Sequence, residues 1–180
     1  MTNFVLDENM IIIAVGSNLG GVWSDTPYGM CQEALRRLSV KLQCSIKQSC
    51  WYQTSPIPPS SQPLYTNGVV ALDVKIKPID LLNILNEMEK EAGRVRQKLN
   101  DARPLDLDIL DVNGEIINDI PKLIVPHPRM HQRGFVLYPL RDIDPEWIHP
   151  ISHKSVDQLI SELPSDQEII PFIDNKQEEI

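Results

Sequence analysis

Over residues 105–110 the chain reads L-D-L-D-I-L, apolar and acidic residues alternating with a period of two. Residues two apart share a face on a strand but not on a helix, so this pattern predicts a strand. Leu105, Leu107 and Ile109 then point into a core, and Asp106 and Asp108 share the opposite face. Two carboxylates one strand repeat apart stand about 7 Å from each other at their Cα atoms. They repel unless water or a cation separates them, and at that spacing they can converge on hard cations. The rest of the chain must cover one face of this strand and leave the other polar.

The residues just before it carry the opposite charge. Arg94, Arg96 and Arg103, with Lys98, surround the Asp pair in sequence. Arginine forks recognise phosphate oxygens bidentately, and paired carboxylates hold the Mg²⁺ that accompanies a nucleotide. On these residues alone two readings stand equally: a site for ATP and metal, or a surface on which Arg and Asp pair with each other.

A chain of 180 residues can bury one sizeable core and is short for two domains. Its net charge of −8 excludes a general nucleic-acid binder, so an anionic substrate must meet a local basic pocket. No apolar run approaches the ~20 residues that span a bilayer. Residues 1–9 lack the basic start and apolar centre of a secretory leader. Cys31, Cys44 and Cys50 are odd in number and have no C-x-x-C spacing, the pattern of reduced thiols. The expectation is a cytoplasmic protein with one domain over residues 10–164 and polar extensions at 1–9 and 165–180. The latter is expected to be disordered. No nucleic-acid or membrane partner is expected, and the protein should be a monomer or weak homodimer.

In chain order, M-I-I-I-A-V at residues 10–15 predicts a buried strand, ending at the glycine-rich turn G-S-N-L-G-G. Met30, Ala34, Leu35 and Leu38 predict a helix, and residues 45–53 a second strand. Residues 54–63 hold four prolines, which lack the N–H a sheet needs, so this is a connecting loop of the kind that binds or covers ligands. Residues 68–74 read as a third strand. Leu81, Leu85, Met88 and Ala92 mark a second helix, with Gly93 as its terminator. Asn113-Gly114 signals a type I′ hairpin after the Asp strand, with residues 115–117 returning. Residues 135–143 look helical, with Pro139 kinking or interrupting them, and residues 156–163 form a short amphipathic helix. The resulting β-α-β-β-α-β order predicts a ferredoxin-like α+β sandwich: an antiparallel sheet with helices on one face, an added hairpin and C-terminal helices.

Five segments occur in an order that resembles the 6-hydroxymethyl-7,8-dihydropterin pyrophosphokinase family. They are G-S-N-L after the first strand, Q-P-x-Y-x-N before the third, G-R-V-R after the second helix, R-x-L-D-L-D, and V-P-H-P-R-M-x-x-R-G-F. The resemblance runs from about Ile11 to Trp147. It implies a ferredoxin-like fold, ATP as co-substrate and Mg²⁺, two ions, as cofactor. The implied reaction moves the terminal pyrophosphate of ATP onto the pterin hydroxymethyl oxygen and releases AMP, a step of folate biosynthesis.

The resemblance also assigns residues. Asp106 and Asp108 match metal-binding carboxylates. Arg94, Arg96 and Arg103 match arginines around the phosphates, with Arg94 and Arg103 in the catalytic set. Glu89, Ile109, Lys122, His127 and Arg133 match nucleotide-contacting positions. Tyr65 and Phe135 match the aromatics that sandwich the pterin, and Asn67 the amide that reads its edge. Thr54, Ile57 and Gly16 match other parts of the pterin wall.

The chain departs from the family where many members carry R-W-G-P-R. Here Leu99-Asn100-Asp101-Ala102-Arg103 is one residue shorter after Arg96 and has no counterpart to that Trp or to one Arg. Residues 97–102 are accordingly expected to order only around nucleotide and Mg²⁺. Lys122, where some relatives have Arg, offers phosphate a point charge instead of a fork. A binding module without chemistry leaves the Asp pair unexplained. A two-metal phosphohydrolase leaves Tyr65, Asn67 and Phe135 unexplained.

Overall fold

The computed structural model describes residues 10–94 and 101–172. Its elements run β1 (Met10–Ser17), α1 (Pro27–Leu42), β2 (Ile46–Gln48), β3 (Tyr52–Thr54), β4 (Tyr65–Asp73), α2 (Pro78–Glu91), β5 (Asp106–Val112), β6 (Ile117–Asp119), β7 (Leu123–Val125), α3 (Gly134–Ile143), α4 (Val156–Ser161) and β8 (Ile169–Pro171). The main sheet is antiparallel in the order β5-β1-β4-β3-β8, with β2 also paired to β4. This is the ferredoxin-like arrangement that the element order predicts.

Helix α1 has a local reason to start and α2 a local reason to stop. Thr26 caps α1, its hydroxyl accepting the Gly29 N–H at 3.1 Å, and Pro27 follows where a missing N–H costs nothing. At the end of α2, Gly93 takes φ +97°. Its N–H donates to Lys90 O at 3.0 Å, and the Arg94 N–H donates to Glu89 O at 3.0 Å. These paired bonds form the Schellman closure, which only a residue at ease in the left-handed region permits. The closure places Arg94 directly beyond the helix end.

Helices α1 and α2 bury Met30, Leu35, Leu38, Leu81, Leu85 and Met88 against Ile11, Ile13, Val70, Leu72, Leu107 and Ile109. The other sheet face is covered too: Ile12, Val69, Ala71 and Leu110 meet Val136, Leu137 and Leu140 of α3 and Val156 and Leu159 of α4. The C-terminal helices therefore make a second layer, where the sequence pattern placed helices on one face. Leu110 shares its strand face with Asp108 but lies beneath this layer, whereas Asp106 and Asp108 lie beyond it. The carboxylate face of β5 is dry at one end and open at the other.

Four expectations need correction or refinement. Residues 45–53 form two short strands, because Ser49 breaks the run. Its hydroxyl accepts the Val69 N–H and its own N–H donates to Val69 O, both at 3.0 Å. Trp51 then lies across Gly68, where a Cβ would come within 2.8 Å of the indole ring. Asn113 and Gly114 do make the turn at φ 52° and 71°, closed by Glu115 N–H on Val112 O at 2.8 Å. The chain beyond it, however, pairs forward as β6 with β7, not back along β5. Helix α3 runs through Pro139 without interruption. Finally, the ordered chain passes residue 164: β8 pairs with β3, and the Phe172 N–H donates to Trp51 O at 2.7 Å. The tail is polar on average but carries the short apolar run Ile169-Ile170-Pro171-Phe172, which forms this edge strand and packs Phe172 against Tyr28. Residues 1–9 and 173–180, and the loop expectation for 97–100, lie outside the described residues.

Candidate active site

Where the α3 layer ends, a cleft of about 930 Å³ opens over the exposed ends of β1, β4 and β5. Its walls are the proline-rich loop after β3, one face of α2, and the segment from His127 to Phe135. Of the residues expected from sequence, Gly16, Thr54, Ile57, Tyr65, Asn67, Glu89, Arg94, Arg103, Asp106, Asp108, Lys122, His127, Arg133 and Phe135 all line it. Arg96 lies outside the described residues. Ile109 is the exception: it is 4% exposed, belongs to the helix-side core and does not line the cleft. Its parity on β5 is that of Leu107, so the alternation that exposes Asp108 buries Ile109.

One half of the cleft is charged. Arg94 Nη1 donates to Asp106 Oδ1 at 2.9 Å, and Arg103 Nη1 reaches the same oxygen at 3.0 Å. Arg94 also pairs with Glu89, whose other oxygen accepts the Leu107 N–H at 2.8 Å. Glu89 is only 4% exposed, so its carboxylate ties the end of α2 to β5 more than it presents charge to a ligand. Burial pushes its pKa up to about 7, against the opposing pull of that N–H and of Arg94.

Asp108 lies 3.9 Å from both His127 Nε2 and Arg133 Nη1 through its Oδ2, beyond hydrogen-bonding distance. Burial, and then repulsion from Asp106, raise its pKa above the usual carboxylate range. Asp108 is therefore the under-compensated member of the pair, since Asp106 already accepts from two arginines, and it is there that a cation is most welcome. Among the described residues no three His, Cys, Asp or Glu groups cluster as a complete metal cage. Two carboxylates, with substrate phosphates and water completing the shell, suit Mg²⁺.

His127 is driven the other way. Burial, then repulsion from Arg133 and Arg129, hold its pKa near 4, so the ring is neutral at physiological pH. Its Nδ1 accepts the Arg129 N–H at 3.2 Å, which leaves the proton on Nε2, the atom nearer Asp108. His127 is thus a hydrogen-bond donor to the cleft and not an additional positive charge.

The other half is less charged. Asn67 is 7% exposed, and its Nδ2 donates to Thr54 Oγ1 at 2.7 Å, which fixes the orientation of the amide. Gly16 faces it across the β1–β4 pair, and a Cβ there would come within 2.8 Å of Asn67 Oδ1. Tyr65 supplies an aromatic surface from the start of β4 and Phe135 another from the start of α3. The Arg133 guanidinium lies 5.4 Å from the Phe135 ring centroid, so the two halves touch there.

The structure adds residues that sequence reasoning missed. Leu82 and Asn86 line the cleft with Glu89. Their i, i+4, i+7 spacing was legible, but an apolar and an amide residue on one helix face suggest no chemistry alone. Asn18, 1% exposed, is the more informative case. Its Oδ1 accepts the Arg103 N–H at 2.8 Å, and its Nδ2 donates to Gln62 Oε1 at 3.1 Å and Pro63 O at 3.3 Å. One side chain joins the arginine side of the cleft to the proline-rich loop.

An α+β sandwich with arginines and paired acids at one end of a cleft, and an aromatic-amide pocket at the other, is the frame of a phosphoryl-transfer enzyme with a flat polar acceptor. Residues 12–145 match the family model for 7,8-dihydro-6-hydroxymethylpterin-pyrophosphokinase, and the chain belongs to that family. It is thereby a pyrophosphokinase, a transferase of folate biosynthesis.

Three bacterial relatives carry the name 2-amino-4-hydroxy-6-hydroxymethyldihydropteridine pyrophosphokinase. The one from Pseudomonas aeruginosa is 41% identical over 136 residues, 76% of this chain and 81% of the relative. That from Synechocystis is 34% identical over 90% of this chain and 80% of its own length. The Haemophilus influenzae protein is 38% identical over 84% and 88%. Among solved structures, a Plasmodium falciparum HPPK-DHPS superposes with a TM-score of 0.62 at 15% identity. The match covers 85% of this chain and 44% of that protein, a likeness of fold.

Proposed function

We propose that this chain transfers the β,γ-pyrophosphoryl group of ATP to 6-hydroxymethyl-7,8-dihydropterin, releasing AMP. The observation that supports the reading best is the division of one cleft into the Arg94/Arg103/Asp106/Asp108 cluster and the Tyr65/Asn67/Phe135 pocket. The pterin ring lies between Tyr65 and Phe135, with its donor and acceptor edge on the amide that Thr54 orients. The Ile57 loop and Gly16 close the wall. The triphosphate lies across Arg94, Arg103, Lys122, His127 and Arg133, and Leu82 and Asn86 flank the nucleoside.

In the transfer, the hydroxymethyl oxygen attacks the β-phosphorus. The bond from that phosphorus to the α,β-bridging oxygen breaks, AMP departs with the oxygen, and the hydroxyl proton passes to water. Such transfers leave little covalent work to protein groups, so orientation and charge neutralisation dominate. Arg103 stands beside Asp106 and meets the charge that develops on the bridging oxygen. Neutral His127 and cationic Arg133 hold the phosphoryl oxygens near Asp108. Asp106 and Asp108 would hold two Mg²⁺ ions, which supply Lewis-acid neutralisation of the phosphates when bound. Both arginines hold one oxygen of Asp106, Oδ1, through a single Nη1 each, so the other N–H groups of each fork can meet phosphate.

The reading treats the chain as one domain, cytoplasmic, and a monomer or weak homodimer; no helix among the described residues is long and apolar enough to cross a membrane. The nucleotide product is its test. ATP with the hydroxymethyl dihydropterin and Mg²⁺ should yield AMP and pterin pyrophosphate in equal amounts. ADP with phosphate would favour a hydrolase and overturn the reading.

A further inference from the structure

We infer that Gln167, which lies beyond the family-matched residues, is a positioning residue for the pterin half of the cleft. It acts by holding the first turn of α3 against the sheet edge.

Helix α3 begins with a deficit. Its N-cap residue is Arg133, which makes no side-chain capping bond. A cap normally supplies an oxygen to one of the first free N–H groups. Here that oxygen comes from 33 residues downstream: Gln167 Oε1 accepts the Gly134 N–H at 2.7 Å. The amide's other end donates to Gln132 O at 2.8 Å. Gln167 therefore brackets Arg133 on both sides and stands one residue before Phe135. The fit is close, since a Cβ on Gly134 would lie 3.1 Å from Gln167 Oε1 and 3.0 Å from Ile169 Cδ1.

The segment that delivers Gln167 is itself fixed to the pterin wall. Strand β8 pairs with β3 in the register Thr54↔Ile169, and Thr54 is the residue that orients Asn67. The far end of α3 is anchored to the same strand: Asp142 Oδ2 accepts the Tyr52 hydroxyl at 2.8 Å and the Cys50 N–H at 3.2 Å. Helix α3 is thus held to the β3 edge at both ends, and Gln167 is the end nearest the ligand. Releasing it frees the Arg133–Phe135 turn while the Asp142 anchor keeps the helix in place. The predicted consequence is a looser aromatic wall in an otherwise folded protein.

This inference rests on the reading of Phe135 as a pterin contact, so Phe135→Ala is measured alongside. In calorimetric titrations, Gln167→Ala should weaken pterin binding about tenfold, the size expected for losing a helix cap together with a second hydrogen bond. KM for the pterin should rise similarly while kcat at saturation stays within about twofold, the split expected when ground state and transition state lose the same contact. Gln167→Glu should restore affinity to within about threefold of wild type, because a carboxylate still accepts the Gly134 N–H and suits a helix N-terminus. Its second oxygen, losing the bond to Gln132 O, turns to water at this partly exposed position, as it could not at buried Asn18. Glu168→Gln, an exposed neighbour, should change neither value.

A merely structural Gln167 would lower the melting temperature and leave pterin affinity unchanged, and that result overturns the proposal. A Gln167→Glu variant as weak as Gln167→Ala overturns it too. Should Gln167→Ala not fold, the Gln167→Glu value alone decides: affinity more than tenfold below wild type is contrary. Loss of pterin affinity in Phe135→Ala but not in the Gln167 variants refutes this inference alone. No loss in Phe135→Ala refutes the pterin assignment beneath it.

Discussion

Replacing Asn18 by Ala should uncouple the two sides of the cleft. The side chain makes three hydrogen bonds across sequence separations of 85, 44 and 45 residues, to Arg103, Gln62 and Pro63. Asn18 is 1% exposed, so water does not readily replace these bonds. At roughly 1 kcal/mol net per bond, with a further cost for leaving the Arg103 N–H short of its partner, the loss is about 2–4 kcal/mol. Only part of that appears as global stability, because Asn18 N–H still donates to Arg103 O at 3.2 Å and β1 remains in the core. The remainder appears as loop freedom on both sides of the cleft. Urea unfolding should therefore show a loss of at least about 1 kcal/mol, and kcat/KM should fall by at least tenfold. Asn18→Asp should do no better than Asn18→Ala, since it keeps the acceptor for Arg103 but turns a carboxylate oxygen toward Pro63 O. A variant with wild-type stability and wild-type kcat/KM would show that the two loops are positioned independently of Asn18.

Two other perturbations test the charged half. Asp106→Asn and Asp108→Asn should each cost several kcal/mol of activation barrier with the circular dichroism spectrum unchanged, because both side chains face the cleft and not the core; near-normal turnover at saturating Mg²⁺ would contradict the assignment. Glu89 tests the buried contact behind them. Its folded pKa of about 7 exceeds the ordinary 4.5, so the folded state holds more protons between those values, and stability must fall as pH rises through them. Relative to Glu89→Gln, which keeps an acceptor for the Leu107 N–H, the wild type should lose up to about 3 kcal/mol between pH 4.5 and 7. Parallel stability curves for the two proteins would contradict it.

The frame was legible in the sequence where periodicity is imposed by burial. The alternation of β5 shows which acids face out because Leu107 and Ile109 must face in, and the α2 stripe shows its register for the same reason. Ile109 lies in the helix-side core and does not line the cleft, although Leu107 of the same parity does. Structure was not legible where single polar contacts decide it. The break at Ser49 depends on one hydroxyl answering one backbone N–H, with no Gly or Pro to announce it. Asn18 resembles an ordinary turn residue until the fold brings residues 62 and 103 to it. The tail beyond 164 is polar on average, and that average hides the apolar run Ile169-Ile170-Pro171-Phe172 that forms β8. Gln167 acts at a helix start 33 residues away, a separation no local pattern encodes.

A crystal structure with hydroxymethyl pterin, a non-hydrolysable ATP analogue and Mg²⁺ tests the central claim most directly. The pterin should lie between Tyr65 and Phe135 with its edge on Asn67. The β-phosphorus should stand about 3–3.5 Å from the hydroxymethyl oxygen, a distance at which the reacting groups are aligned for attack. Arg94 and Arg103 should donate to the phosphates, and Asp106 and Asp108 should hold the metal. A pterin bound away from Tyr65 and Phe135, or a triphosphate that does not reach the Asp106/Asp108 end of the cleft, would contradict the account.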